Sequence, residues 1–385
     1  MAPADICRWQ QPTTYKQDFI MNINNTEDEK LLKQYYSRYG GYWRFPDMLD
    51  YCYLVNPYFN RSGIIKEMQD FFPTLVAEYP SGMNVNSMLA SECWNVKQEY
   101  IIPGNGAAEL IKLLMEHLEG KVGVVRPTFE EYPNRMPAER VVTFVPQNSD
   151  FRYDADDLIE FFGNNAVETI LLINPDNPSG NFIPMEGIIK LAQWTKDNGI
   201  KFILDESFVD FSEGYANNSF ISNQLLETFP NVCVMKSISK SYGVPGLRLG
   251  ILCSANTEMI QRMKKQVSIW NINSFAEFFM QIYPKYRADY QKACDQFIAT
   301  RNDFERELQQ IPFIHVMPSQ ANFFFLEVLP PYKPKQLCAI LLKKYKILAS
   351  ACLAKKGIEP DKYMRIAVRS HKDNERFIKA LKELI

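Results

Sequence analysis

Between residues 100 and 255 the chain alternates short apolar runs with longer amphipathic stretches, and that alternation leaves few folds open. "VGVV" (122–125), "ETILLI" (168–173), "KFILD" (201–205), "NVCVM" (231–235) and "RLGILC" (248–253) have the length and β-branched content of buried strands. Between them, "PMEGIIKLAQWTKDNG" (184–199) carries apolar residues at helical spacing, with Pro184 suited to a first turn and Gly199 to a C-terminal stop. The pattern predicts an α/β fold with a mostly parallel central sheet covered by helices. After residue 274 it changes to one long helical region (roughly 275–310), then "FIHVMP", "NFFFLEV" and "MRIAVRS", the short strands of a smaller α+β lobe. The expected organisation is an N-terminal arm and part of the small lobe (1–75), a large domain (76–273) and a small domain (274–385). The aromatic stretch "QYYSRYGGYWRF" (34–45) has no clear periodicity and suits either local core filling or a dimer or partner contact.

In open α/β sheets, ligands bind outside the carboxyl ends of the strands. "ETILLI" ends in "NPDNPSG", with Asn174 and Asn177 in a Pro/Gly-shaped turn; "KFIL" ends in Asp205; "NVCVM" leads through "KSISK" to Lys240. Each alone has an ordinary reading as a turn amide, a helix N-cap or a solvated cation. Three such exits converging favour a site. Upstream, "IIPGNGAAELIKLLMEHL" (101–118) is an apolar run, a Gly-rich turn and an amphipathic helix starting around Gly106, Ala107 and Ala108. Amide groups at such a start bind phosphate. The turn is neither a P-loop nor the full dinucleotide fingerprint. Ser237, Ser239 and Arg248 can supply the other side of the cup. A lysine, a buried carboxylate and a phosphate site together suit pyridoxal 5′-phosphate, so Lys236, Lys240, Arg248 and the nearby serines, Ser241 included, are expected to face one bound cofactor.

Composition removes other classes. Lys+Arg 43 against Asp+Glu 45 gives −2, which argues against a nucleic-acid surface or a polybasic membrane patch. The three histidines lie far apart, and the eight cysteines form no C-x-x-C pair, as in reduced, buried thiols of a cytoplasmic protein. No apolar stretch approaches the length of a membrane span, and no signal pattern opens the chain.

The set "YPSG", "GNGAAE", "RPTFEEY", "NPDNPSG", "DESFVDF", "SISKSYGVPGLRLG", "SQANFFF" and "YMRIAVR" resembles the fold-type I, class I/II aminotransferases, most closely the branch of histidinol-phosphate aminotransferase and threonine-phosphate decarboxylase. The resemblance runs from about Tyr79 to the C-terminus. It implies that Lys240 links covalently to the cofactor, Arg248 binds its phosphate, Asp205 faces the pyridine nitrogen and Asn177 donates to the phenolic oxygen. Phe129 would stack on the ring, unless it is core. Tyr79 would reach the phosphate of the other subunit, which implies a homodimer with shared active sites. Arg365, with Asn177, would take the substrate carboxylate. Phe208 stands where many relatives have tyrosine, and the decarboxylase branch commonly has phenylalanine there. Ala349 stands where relatives that bind a phosphorylated side chain often have arginine; Lys355 or Lys356 would then either substitute or remain a solvated loop pair. The opening "RYGGYWRFPDMLDYCYLVNPYFN" faintly resembles aminotransferase-like regions fused behind nucleotidyltransferase domains, with residues 1–50 as a linker. The leading expectation is a transaminase moving an amino group between an amino acid, or an amino-phospho or phosphono compound, and a 2-oxo acid. The alternatives are a decarboxylase of an O-phosphorylated amino acid and a cofactor-binding sensor, for which the sequence offers no helix-turn-helix partner.

Overall fold

The computed structural model describes residues 27–385 apart from Asn60 and Ala354; the first 26 residues of the expected arm and linker, Cys7 among them, lie outside the described residues. The strands are β1 (Leu49–Asp50), β2 (Ile101–Asn105), β3 (Val122–Val125), β4 (Val141–Phe144), β5 (Thr169–Ile173), β6 (Lys201–Asp205), β7 (Val232–Ser237), β8 (Leu249–Cys253), β9 (Ile314–Val316), β10 (Phe323–Val328), β11 (Ile347–Leu348), β12 (Ser350–Ala351) and β13 (Tyr363–Ala367). Seven of them form the central sheet in the order β2-β8-β7-β6-β5-β3-β4. All neighbours are parallel except β8, which runs antiparallel to both β2 and β7.

Both faces of this sheet are covered, which is why its strands read as continuous apolar runs. Alternate residues divide between the faces. Leu171, Ile173, Ile203, Cys233, Met235 and Leu252 pack with Leu110, Ile111 and Leu114 of the helix Gly106–Glu116. Ile170, Leu172, Phe202, Leu204, Val232 and Val234 pack with Ile188, Leu191 and Ala192 of the helix Met185–Asp197. Each fully buried aliphatic side chain contributes about 1.5–3 kcal/mol before conformational entropy is counted.

The long helical region expected at 275–310 is broken. Ser274–Ile282 is one helix, Tyr283–Tyr286 a 3-10 turn holding Pro284, and Arg287–Leu308 a second helix. Proline has no amide hydrogen and crowds the preceding turn, so an uninterrupted helix through Pro284 is disfavoured. The first piece buries Phe278, Phe279, Met280 and Ile282 in the same core as the far face of the sheet, so it packs with the large domain rather than the small lobe. The helix Ser62–Ala77 has Pro73 inside it, which masks its periodicity. It packs there too, through Phe71 against Phe278 and Phe72 against Phe275. Its outer side leaves Ile65, Phe71, Phe72 and Val76 exposed beside Tyr79, Ile269 and Trp270, an apolar face on this chain.

The small lobe is an antiparallel sheet in the order β12-β13-β10-β9. The N-terminal segment is built into it: β1 pairs in parallel with β11, and Glu29 of the helix Glu27–Tyr36 accepts from Lys335 Nζ at 2.9 Å. The chain then crosses to the large domain. Tyr51 N donates to Leu348 O at 2.7 Å, while Asn56 N donates to Lys240 O at 2.9 Å. Among the described residues the seven cysteines are free, no helix is long and apolar enough to cross a membrane, and no His/Cys/Asp/Glu group could hold a metal ion.

Candidate active site

The carboxyl ends of β5, β6 and β7 carry the groups that the sequence singles out. At the end of β6, Asp205 is 4% exposed. Its Oδ2 accepts from the Tyr132 hydroxyl at 2.7 Å and its Oδ1 from Ser207 N at 2.8 Å. Burial raises its carboxyl pKa, opposed by the bonds from Ser207 and Tyr132 and by the charge of Lys240. Two donors and a nearby cation favour the ionised form and oppose the effect of burial, which still leaves the pKa raised. Tyr132 is fully buried, and only its place three residues after Phe129 in "RPTFEEY" hints at it.

β7 runs into the one-turn helix Ile238–Ser241, which bears Lys240. The Lys240 amine is pushed down to about 8, first by burial and then by the charges of Arg365 and Arg248, with Asp205 pulling the other way. A lysine so lowered has a usable neutral fraction near pH 7, as a nucleophile or a proton acceptor.

Arg248 sits just before β8 at φ 57, in the left-handed region. Its carbonyl accepts from Gly106 N at 2.8 Å. Its guanidinium lies over the start of the helix Gly106–Glu116: a Cβ on Gly106, itself at φ +70, would stand 2.5 Å from Arg248 Nη2. Only glycine admits that approach. The Gly106 amide, expected to bind phosphate, is therefore already occupied, and Gly106 contributes space instead. Ala107 and Ala108 follow in the first turn, where amides have no intrahelical acceptor. Ser239 Oγ is buried with no partner, and Ser237 N donates to Ser207 Oγ at 2.9 Å. A guanidinium, first-turn amides and an orphaned hydroxyl fit a phosphate.

Two of the expected ligand-facing groups turn away. Lys236 Nζ donates to Asp210 Oδ1 at 2.8 Å, and Ser241 Oγ donates to Asp210 Oδ2 at 2.8 Å. Burial works against the charge on Lys236, yet Asp210 and Glu206 hold its pKa above the ordinary value. Asp210 thus consumes one cation and one hydroxyl of the segment. Asn174 is also consumed: its side chain exchanges two hydrogen bonds with the backbone of Ile183, at 2.8 and 2.9 Å, closing the loop after β5. Asn177 remains, buried, with Oδ1 accepting from Arg365 Nη1 at 2.9 Å.

Arg365 stands on β13 and also donates to Cys52 O at 3.0 Å, while its Nε is buried without a partner. Phe129 is 41% exposed and meets Tyr132 edge-on at 6.4 Å, a ring with a face left open. Phe208 is buried edge-on against Phe323 at 5.1 Å and offers no hydroxyl. Tyr79, 79% exposed, stacks on Trp270 at 4.4 Å on the apolar face. Ala349 is core. Lys356 is exposed, whereas Lys355 turns inward and donates to Thr128 O at 2.5 Å, contrary to a solvated pair.

Comparison with known proteins accords with this geometry. The family model for aminotransferase class I and II matches residues 77–381. The chain is 31% identical over 359 residues to CMP-5'-(3-aminopropyl)phosphonate synthase of Streptomyces rubellomurinus, covering 93% of this chain and 56% of that protein. It is also 31% identical to L-serine phosphate decarboxylase of Sulfurospirillum multivorans, over 88% of each chain. The solved histidinol-phosphate aminotransferase of Clostridium acetobutylicum superposes with a TM-score of 0.77 at 26% identity, over 88% of this chain and 99% of that one. The chain thus spans little more than half the length of the first relative and most of the other two.

Proposed function

The chain belongs to the class I and II aminotransferases, pyridoxal 5′-phosphate enzymes of fold type I, and from that premise we propose that it decarboxylates an amino acid bearing a phosphate or phosphonate on its side chain. One observation carries the chemistry: Asp205 at the end of β6 and Lys240 in the turn of helix after the neighbouring β7 meet beside the Arg248 and Gly106 cradle. Two relatives at 31% identity carry names that include a phosphate or a phosphonate, and one of them is a decarboxylase, which supports the substrate class.

When bound, the cofactor supplies an aldehyde that captures an amine and a protonated ring that accepts the electron pair released at Cα. The chain supplies the rest. Lys240 would hold the cofactor through its ε-nitrogen, and its amine, with a pKa of about 8, can carry a proton at the substrate carbon. The Asp205 carboxylate keeps the ring nitrogen protonated, and Tyr132 and Ser207 fix its orientation. Arg248, Ser237, Ser239 and the amides of Ala107 and Ala108 hold the cofactor phosphate. Asn177 donates to the phenolic oxygen, and Phe129 lies along the ring. Arg365 takes the substrate carboxylate, its buried Nε lacking any partner within the protein. The enzyme works as a cytoplasmic homodimer: the apolar face around Phe72, Val76 and Trp270 suits a second copy, and Tyr79 at its edge reaches the partner's phosphate site. A nucleotidyltransferase domain fused upstream belongs to this proposal, and sequencing the full reading frame tests it.

The test is to load the protein with pyridoxal 5′-phosphate, add O-phospho-L-serine and measure CO2 release. Release without any added 2-oxo acid is expected. Amine transfer that depends on a 2-oxo acid and releases no CO2 would overturn decarboxylation in favour of a transaminase. That second reading is supported by the family description and by the likeness to histidinol-phosphate aminotransferase.

A further inference from the structure

Arg365 and Lys355 are two cations in the inter-lobe region whose partners are all neutral. Arg365 donates to Asn177 Oδ1 and Cys52 O, and Lys355 to Thr128 O. Among the described residues neither has a carboxylate at ion-pair distance. Two acids that act on Lys355 at longer range are bonded elsewhere: Glu130 pairs with Arg126 at 3.2 Å through Oε2, its Oε1 having no partner, and Asp176 accepts from Ser179 Oγ at 2.5 Å. Buried charges in folded proteins are paired or neutralised, because desolvating a lone ion costs several kcal/mol. Lys236, with Asp210, obeys that rule a short distance away. Arg365 and Lys355, both only half-buried, form no such pair; burial lowers the Lys355 pKa, with Cys352, Glu130 and Asp176 opposing.

The loop that carries Lys355 is docked on the other lobe. Gly357, at φ +85, comes so close that a Cβ there would stand 2.8 Å from Arg126 Cβ. Arg126, Pro127 and Thr128 follow β3 directly and lead into Phe129, the open-faced ring of the site. Lys355 therefore projects from the small lobe to the strand exit that leads into Phe129. Two cations with no carboxylate at ion-pair distance, held by different elements, suit a ligand that brings two anions of its own.

We propose that Lys355 recognises the second anion of the substrate, a phosphate or phosphonate on the amino acid side chain, while Arg365 takes the α-carboxylate. This rests on the substrate class proposed above. Core residue Ala349 leaves the lobe without an arginine at that point of the chain, and Lys355 fills the gap from a loop six residues further on.

The test is equilibrium binding, read from the absorbance of the cofactor-loaded protein titrated with O-phospho-L-serine and, separately, with L-serine. The native protein should prefer the phosphorylated ligand by about 10- to 100-fold, the range for one charge-assisted contact. Lys355→Met should remove most of that preference while L-serine binding moves by less than about 2-fold, which also shows the variant to be folded. Lys355→Arg should restore part of it. A preference left intact in Lys355→Met, equal loss for both ligands, or no preference in the native protein would each overturn the proposal. CO2 release is scored separately: a lysine-dependent preference without CO2 refutes the decarboxylase reading and leaves the role of Lys355 standing.

Discussion

Lys236 and Lys240 lie four residues apart on one strand and the turn that follows it, both turned inward, and they have opposite fates. Lys236 meets a carboxylate, shares it with Ser241 and stays charged. Lys240 has only the more distant Asp205 in its favour, against burial and two arginines, and drops to about 8. A matched cation belongs to the scaffold, and an unmatched one is held ready for chemistry. Composition cannot draw that distinction, because it depends on where Asp210 and Asp205 are carried by the same β6 exit.

The largest effect should come from Lys240→Ala: turnover falls by about 1000-fold or more, and the absorbance of covalently held cofactor disappears, while the melting temperature barely moves. Asp210→Ala should act in the other currency. It strands a buried ammonium and should lower stability by about 3–5 kcal/mol, measured by urea unfolding, with cofactor chemistry lost only as folding is lost. Replacing both partners, Lys236→Met with Asp210→Leu, should recover most of that loss; no recovery would break the contrast. Tyr132→Phe removes one charge-assisted bond to Asp205 and should lower turnover about 10-fold with the fold intact. The smallest change is in pH. The rate at which apoprotein captures pyridoxal 5′-phosphate should rise with pH and level off above about 8, where Lys240 has lost its proton. Asp205→Asn removes the charge that raises the Lys240 pKa, so the midpoint should move to lower pH. Lys236, raised rather than lowered, should keep its proton throughout that range.

The strand ends are legible in the sequence because a buried parallel strand is a solid apolar run and its exit residue is simply the next polar one. Asp205, Asn177 and Lys240 are found that way. Tyr132 is not, since its partner lies 73 positions away and its own neighbours are charged residues of an ordinary turn. Asp210 escapes for the same reason, being 31 positions from Ser241 and 26 from Lys236. Lys355 depends on a loop docking 227 positions away, and no local pattern says which of two adjacent lysines points inward. The helix Ser62–Ala77 is hidden by Pro73 and by an outer side as apolar as its inner one. What is missed at Tyr132, Asp210 and Lys355 is the identity of a distant neighbour.

The crossing between Tyr51 and Asn56 has a mechanical consequence. Its first end is bonded to Leu348 in the small lobe and its second to the peptide oxygen of Lys240 itself. Five residue steps can stretch to about 17 Å at most. The segment therefore ties the small lobe directly to the turn that holds the reactive amine, over a span no longer than that reach.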